Sequence, residues 1–177
     1  QMPAGYETEE SFADYLLGIR DGTPKTPQWA EAITGVPGKK IAQIADQICH
    51  ATQPVRLVAI AGPSASGKTT FSKRLSLQLR VNNMRPVALS TDNFYVDRDK
   101  TPLDEHGKFD FEALEAIDLP LFNDVLSRLL AGEEVATPRF DFTSGKRRPE
   151  SRWPTMRLAK DQVLVIEGIH GLNPRLT

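Results

Sequence analysis

The residues of this chain that are best suited to chemistry form a glycine-bearing loop at positions 62–69. The loop reads GPSASGKT and matches the pattern G-x-x-x-x-G-K-[ST]. Such a loop wraps a polyphosphate with backbone N–H groups, and the helix that follows points its positive end at the same anion. Lys68 is placed to reach the β- and γ-phosphates, and the Thr69 hydroxyl is placed to ligate Mg²⁺. The candidate nucleotide-binding residues are Gly62, Ser64, Ala65, Ser66, Gly67, Lys68, Thr69 and Thr70.

A chance glycine-rich turn is the alternative to this phosphate site. The four fixed positions of the pattern should coincide in under about 1% of chains of this length. The context also favours the phosphate site, because an apolar segment precedes the loop and an amphipathic segment follows it.

Two carboxylates follow apolar segments and are candidates for the same site. Glu167 comes directly after the apolar run Val163–Ile166, at the end of a strand where open parallel sheets bind ligands. It is predicted to be associated with the metal, directly or through water, and the alternative is an ordinary acidic residue at a strand end. Asp92 follows the segment Pro86–Ser90 and is placed to accept a proton from a substrate hydroxyl. The alternative for Asp92 is an Asx-turn residue that serves only its loop.

Other polar and aromatic residues have patterns that leave their roles open. Phe94 and Tyr95 are compatible with the core and with a substrate pocket. Asp110 lies between two phenylalanines, and its spacing assigns it no role. The run Lys146–Arg148 is predicted to be solvated loop, with phosphate steering as the alternative. The three histidines are far apart in the sequence and are not predicted to bind a metal.

The elements that must position these residues indicate an α/β fold. Three apolar segments are predicted strands of a parallel sheet: Val55–Ala61, Pro86–Ser90 and Val163–Ile166. Helical patterns lie between them, so the connections are crossovers typical of a P-loop NTPase-type sheet flanked by helices. Val135–Phe142 is a predicted edge hairpin strand, because Pro138 argues against a central position. Gly145–Pro154 is a predicted polar loop.

The first part of the chain has a different character. Residues 1–53 contain no convincing strand and are predicted to be a helical appendage, whereas residues 54–177 are predicted to form the P-loop domain. Short helices are predicted around residues 12–19, from the Thr26-Pro27 cap onwards, and along Ile41–Ile48.

Composition and charge narrow the class of protein. The chain has 177 residues and a formal net charge of -1, which excludes a strongly basic nucleic-acid binder. Its one cysteine excludes an internal disulfide and a cysteine-based zinc site. No apolar run approaches the roughly 20 residues of a membrane span. We therefore expect a cytoplasmic protein without nucleic-acid or membrane partners, and the first residue, Gln1, is compatible with a segment of a longer chain.

From about residue 38 to residue 177 the chain resembles the uridine kinase and phosphoribulokinase family of P-loop kinases. The matching stretches are Gly62–Thr70, Ser90–Tyr95, Lys108–Asp110, Pro138–Phe142 and Val163–Gly168. The resemblance implies an ATP-dependent, Mg²⁺-dependent kinase.

The resemblance also implies roles for single residues. Asp92 would be the general base, Asp110 would contact the ribose hydroxyls, Glu167 would lie by the magnesium, and Phe140 would lie near the nucleobase. Asp92, Tyr95, Asp110 and Phe140 are therefore the candidate substrate-binding residues. Lys68 and Asp92 are the candidate catalytic residues, and Thr69 and Glu167 the candidate metal ligands.

The sequence departs from the family at two points. Uridine kinases typically have a tyrosine where Phe140 stands and a histidine near Gly145. The family also continues past the position of Thr177 with an arginine-rich lid and the last strands of the sheet. We therefore predict an unpaired sheet edge that invites association with another chain, including a second copy.

Three functions follow from these observations. The leading hypothesis is an ATP-dependent kinase that phosphorylates a hydroxyl of a nucleoside or a similar small metabolite. The second is a nucleotide-binding module without turnover of its own. The third, a fragment of a molybdenum redox enzyme, rests on a similarity of residues 12–46 to a helical stretch of molybdopterin oxidoreductases that carries no cofactor ligand.

Overall fold

The computed structural model describes residues 17–19 and 21–176. The helix predicted around residues 12–19 lies largely outside the described residues. The helices are α1 (Pro27–Thr34), α2 (Gly38–Cys49), α3 (Lys68–Val81) and α4 (Leu119–Leu130). The strands are β1 (Leu57–Ala61), β2 (Arg85–Ser90), β3 (Glu134–Ala136), β4 (Phe140–Asp141), β5 (Lys146–Arg147), β6 (Thr155–Arg157) and β7 (Gln162–Gly168).

The central feature is a parallel sheet of three strands in the order β1-β7-β2. These are the three strands that the apolar runs predict, and β7 lies in the middle with both faces covered. In the register, Glu167 stands opposite Ile60 on one side and opposite Ser90 on the other. Among the described residues β1 and β2 pair only with β7, so each outer edge of this sheet is without a strand partner.

The residues of β7 divide the core into two layers because successive strand side chains point to opposite faces. Leu164 and Ile166 pack with α4 and with Phe94. Val163 and Val165 pack with α2 and α3 on the other face. The result is a parallel sheet flanked by helices on both faces, as the sequence predicts.

The amino-terminal helices pack onto this domain. Thr26 caps α1 by accepting a hydrogen bond from the Trp29 N–H, and Gly35 ends the helix with φ of 66°. Ile41 and Ala45 of α2 are buried in the same layer as α3 and the sheet. The division of the chain at residue 53 stays a prediction, and α2 contributes to the core of the sheet domain.

One predicted element is wrong. Val135–Phe142 is not a single hairpin strand, because β3 pairs antiparallel with β6 and β4 pairs antiparallel with β5. Between β3 and β4 the Thr137 N–H donates to the carbonyl of Pro154, 2.9 Å away, and Pro138 has no N–H to continue the ladder. The segment predicted as a polar loop, Gly145–Pro154, supplies β5 to the second pair.

No helix among the described residues is both long enough and apolar enough to cross a membrane.

Candidate functional site

The phosphate-binding loop connects β1 to α3 and bends tightly. Ala65 and Gly67 have positive φ angles of 59° and 84°. A Cβ atom on Gly62 would lie 2.9 Å from the Ser66 Oγ and 3.2 Å from the Lys68 Cγ, so a larger residue would displace these two side chains. Alternating backbone conformations of this kind form concave anion-binding loops.

The amino-terminal end of α3 faces the loop. The helix has 14 residues, its N-cap is Gly67, and no side chain caps it, so its first N–H groups are not taken by a capping side chain. Its first turn contains no acidic residue, which leaves the positive end of the helix dipole available to an anion. The Lys68 Nζ donates to the Pro63 carbonyl at 2.8 Å, and this contact holds the ammonium group at the loop.

The Glu167 carboxylate joins the loop to the ends of two strands. The Thr69 hydroxyl donates to its Oε2 at 3.2 Å, and the Ser90 hydroxyl donates to its Oε1 at 3.1 Å. Glu167 therefore lies at the phosphate-binding loop, which favours the metal-associated role over an ordinary strand-end acid. The contribution of Ser90 was not predicted, although its place at the end of β2 opposite Glu167 follows from a parallel register.

Thr91 packs closely against the end of β7, next to Glu167. The Thr91 hydroxyl is fully buried and donates to the Glu167 carbonyl at 3.3 Å. A Cβ atom on Gly168 would lie 1.8 Å from that hydroxyl oxygen. Only glycine at position 168 allows this approach, so Gly168 helps to set the position of Glu167.

The oxygen atoms of Thr69 and Glu167 suit magnesium. Mg²⁺ is usually bound by one or two carboxylates together with substrate phosphates and waters, rather than by a full cage of protein ligands. The part of the chain that the structure describes contains no group of three or more His, Cys, Asp or Glu side chains able to hold a metal. The two candidate ligands therefore fit a nucleotide-bound Mg²⁺.

Asp92 lies in the single-turn 3₁₀ helix Thr91–Phe94 that directly follows β2. Burial raises the pKa of its carboxyl group, the negative charge of Glu167 raises it further, and the positive charge of Lys68 lowers it. None of the described residues donates a hydrogen bond to the Asp92 carboxylate, so it does not act as an Asx-turn residue. Its backbone N–H instead donates to the Ser90 hydroxyl at 3.3 Å.

Phe94 and Tyr95, the two aromatic residues that follow Asp92, have different surroundings. Phe94 is fully buried and meets Phe122 edge to face, with ring centroids 5.0 Å apart. Tyr95 instead lines a pocket, where its ring centroid lies 5.8 Å from that of Phe140 and 6.4 Å from that of Phe142. Burial, together with the nearby carboxylates of Asp92 and Glu112, raises the pKa of the Tyr95 hydroxyl to about 12.

This aromatic pocket has a cavity volume of about 300 Å³. Its lining residues are Tyr95, Val96, Arg98, Phe111, Phe140 and Phe142. The Phe140 N–H donates to the Asn93 side-chain oxygen at 3.4 Å, so the pocket adjoins the turn that carries Asp92. The structure thus brings Tyr95 and Phe140 together in one pocket beside the turn that carries Asp92, and the binding of a substrate by these residues stays a prediction.

Asp110 has a different local role. Its Oδ1 accepts hydrogen bonds from the N–H groups of Glu112 and Ala113, at 2.9 and 3.1 Å. These contacts form a turn that presents Phe111 to the pocket. The structure shows no hydrogen bond between Asp110 and the other candidate site residues, and its contact with a ribose stays a prediction.

Arg147 is a second residue whose role the sequence does not reveal. Its guanidinium donates to the Asp118 carboxylate at 2.9 Å and to the carbonyls of Phe94 and Tyr95 at 3.3 and 3.0 Å. Its backbone N–H also donates to Asp97 at 2.9 Å. The prediction of a solvated loop is therefore wrong for Arg147. Its side chain connects the β4–β5 hairpin, through these hydrogen bonds, to the turn that carries Asp92 and Tyr95.

Comparison with known proteins identifies the family. The family model described as the phosphoribulokinase and uridine kinase family matches residues 57–175. The chain belongs to this family. The match begins at β1 and includes the phosphate-binding loop, Asp92, the aromatic pocket and Glu167.

Relatives within the family are uridine kinases. The chain is 36% identical over 118 residues to the uridine kinase of Chloroflexus aurantiacus, covering 67% of this chain and 53% of the relative. It is 29% identical over 113 residues to that of Lactobacillus helveticus, covering 64% of this chain and 51% of the relative. The chain therefore spans about half the length of the curated relatives it matches.

A solved structure supports the fold. A possible uridine kinase from Bacillus stearothermophilus superimposes with a TM-score of 0.65 at 23% identity, covering 78% of this chain and 74% of that chain. At this identity the likeness shows the α/β P-loop kinase fold.

Proposed function

We propose that the protein is an ATP-dependent kinase that transfers the γ-phosphoryl group to a hydroxyl of a nucleoside or a related small metabolite. The observation that carries the proposal is the contact between Thr69 of the phosphate-binding loop and Glu167 of β7. This contact lies beside a turn whose Asp92 carboxylate has a raised pKa and whose Tyr95 lines the aromatic pocket. A phosphate site, a base and an acceptor pocket are thus adjacent.

In this proposal the phosphate side works by positioning and by electrostatics. The loop N–H groups, the amino-terminal end of α3 and the Lys68 ammonium group bind the phosphates and stabilise the charge that develops during transfer. Thr69 and Glu167 would hold Mg²⁺, which when bound neutralises charge on the phosphate oxygens.

On the acceptor side Asp92 accepts the proton of the attacking hydroxyl. A base is most effective when its pKa lies near the working pH, and the raised pKa of Asp92 moves it in that direction. The rings of Tyr95 and Phe140 would pack against the flat part of the acceptor, because aromatic faces bind flat apolar groups. The hydroxyl that reacts would then remain free to contact Asp92.

The experiment that tests the proposal combines binding and turnover. Calorimetry with Mg-ATP measures nucleotide affinity, and release of ADP is followed with uridine, cytidine, adenosine or guanosine and with no acceptor. We expect tight Mg-ATP binding and ADP release that depends on the acceptor. Binding without acceptor-dependent release would favour the alternative, a nucleotide-binding module without turnover, and absence of ATP binding would contradict both.

A further inference from the structure

A second pocket, the loop pocket, lies against the phosphate-binding loop on the face of the sheet that α2 and α3 cover. It has a cavity volume of about 230 Å³. Its lining residues are Val36, Ile60, Ala61, Ser66, Gly67, Lys68 and Phe71. Val36 belongs to the turn between α1 and α2. The loop pocket therefore joins the phosphate-binding loop to the amino-terminal helices.

The turn between α1 and α2 is held beside the loop by contacts of both helices. On α1, the Trp29 ring meets the Arg74 guanidinium of α3, and the Arg74 Cζ lies 5.0 Å from the ring centroid. The Gly38 N–H, at the start of α2, donates to the Glu31 carboxylate of α1 at 3.2 Å. Val36 itself is half-buried and packs into the same layer of the core as α2 and α3. These contacts fix the position of Val36 relative to the loop.

The lining of the loop pocket combines two kinds of surface. The loop part offers backbone N–H groups and the Lys68 ammonium group, which suit phosphates. The side chains of Val36, Ile60 and Phe71 are apolar and offer no hydrogen bond to an anion. A phosphate placed against them would lose water without gaining a partner, whereas the ribose carbons and the flat base of a nucleotide would bury apolar surface there.

We infer that the turn between α1 and α2 is part of the nucleotide site, with the Val36 side chain against the adenosine part of bound ATP. The inference rests on the proposed function, because it requires the phosphates to lie on the loop. The residues that match the family model begin at position 57, so α1, α2 and their turn precede the matched region. This chain would thus complete its nucleotide site with residues from outside that region.

The inference has a consequence for the amino-terminal helices. A ligand that contacts the turn favours the conformation in which α1 and α2 are packed on the domain, and the packed helices favour the ligand to the same extent. Amide hydrogen exchange in α1 should therefore become slower when ATP binds. Inorganic tripolyphosphate, which lacks the adenosine part, should have a smaller effect on this exchange.

The test compares two ligands that both carry three phosphates. Calorimetry in the presence of Mg²⁺ measures the dissociation constants of a non-hydrolysable ATP analogue and of inorganic tripolyphosphate. Val36→Ala should weaken binding of the ATP analogue about 5-fold, because two methyl groups leave the apolar contact. Its affinity for tripolyphosphate should stay the same. Val81→Ala is the matched control, because Val81 is an exposed valine at the far end of α3, and it should change neither affinity.

A second variant keeps the test decisive if Val36→Ala does not fold. Val36→Thr preserves the shape of the side chain and replaces one methyl group with a hydroxyl group, so it should also weaken binding of the ATP analogue and leave that of tripolyphosphate unchanged. Melting temperatures establish that each variant is folded.

The outcomes separate this inference from the proposed function. In a folded Val36 variant, an equal loss of affinity for both ligands, or no loss for either, would overturn the inference and leave the proposed function in place. Failure of the wild-type protein to bind either ligand would contradict the phosphate site of the proposed function, and the inference with it.

Discussion

The phosphate side and the acceptor side of the site are built by different means. On the phosphate side the backbone sets the geometry: β1 leads into the loop, α3 leads out of it, and the parallel register places Glu167 opposite Ser90. On the acceptor side, side chains hold short segments together. Arg147 bonds to backbone carbonyls and to Asp118, and Asn93 bonds to the Phe140 N–H.

This difference has a consequence for function. Phosphate recognition depends largely on main-chain geometry, whereas acceptor recognition depends on a few long-range side-chain contacts. Changes on the acceptor side can therefore alter the substrate while the nucleotide site keeps its shape. If the two sides are independent in this sense, substitutions on each should affect different ligands.

The largest expected effect comes from Lys68→Ala on the phosphate side. This variant should abolish tight Mg-ATP binding or reduce turnover by at least about 100-fold, because it removes the charge that, in the proposed function, stabilises the phosphates. The fold should be nearly unaffected, since the Pro63 carbonyl is the one hydrogen-bond partner of the Lys68 ammonium group among the described residues. Calorimetry, turnover and the melting temperature measure the three quantities.

Lys73→Ala is the matched control for this prediction, because Lys73 is an exposed lysine of the same helix. Unchanged ATP affinity and an unchanged rate in Lys68→Ala would contradict the assignment of the phosphate-binding loop.

The second largest effect is expected from Asp92→Asn. Asp92 lies where the phosphate side and the acceptor side meet. The amide cannot accept the proton of the attacking hydroxyl, so turnover should fall about 10²–10⁴-fold. Mg-ATP affinity should remain nearly the same. Asp99→Asn, in an exposed turn of the same segment, is the control. If Asp92→Asn keeps its rate, the base lies elsewhere.

Substituting Arg147 tests the acceptor side. Arg147→Met should lower the free energy of unfolding by about 1–3 kcal/mol, because it removes the ion-pair partner of the half-buried Asp118 carboxylate and the hydrogen bonds from the guanidinium to the carbonyls of Phe94 and Tyr95. The Phe94 carbonyl keeps its hydrogen bond from the Asp118 N–H. It should also weaken nucleoside binding about 10-fold and leave Mg-ATP affinity unchanged. Urea unfolding and calorimetry measure these effects. Asp118 is a less informative target, since its Oδ1 also caps α4 through the Leu121 N–H.

Arg148→Met, one residue further along the hairpin, should have little effect on any of these quantities. An equal loss of ATP and nucleoside affinity in Arg147→Met would show that the two sides are not independent.

The contrast between the two sides also explains what the sequence could predict. The loop, the three parallel strands and Glu167 carry local signals: a fixed motif, apolar runs and a carboxylate at a strand end. Burial on both faces makes β7 an uninterrupted apolar segment, which is why its pattern is clear.

The acceptor side carries no comparable signal. Strands β3 to β6 are two or three residues long, too short for an alternating pattern to show. Arg147 and Asp118 are 29 residues apart in sequence, and nothing in either local pattern indicates the pair. Tyr95 and Phe140 line one pocket, but only the family resemblance, and not its spacing, singles out Phe140.

The smallest expected effect concerns the pKa of Asp92. Glu167→Gln removes a negative charge that favours the protonated form of Asp92, so the pKa of Asp92 should fall. Lys68→Met removes a positive charge that favours the ionised form, so the pKa should rise. In both variants burial, the largest cause of the raised pKa, remains. Carbon-detected NMR titration of the Asp92 carboxyl group, without nucleotide or Mg²⁺, measures both shifts.

Asp161→Asn is the control for these shifts because Asp161 directly precedes β7, whereas Glu167 lies near its other end. Six residues of extended strand separate their charges by about 20 Å, a distance at which screening leaves little interaction. The pKa of Asp92 should therefore stay the same in this variant. Shifts of opposite sign in Glu167→Gln and Lys68→Met would show that charges of the phosphate side act on the base, so the two sides would be independent in binding and coupled in chemistry. Shifts of the same sign, or none, would show that these two charges do not act on Asp92 in this way.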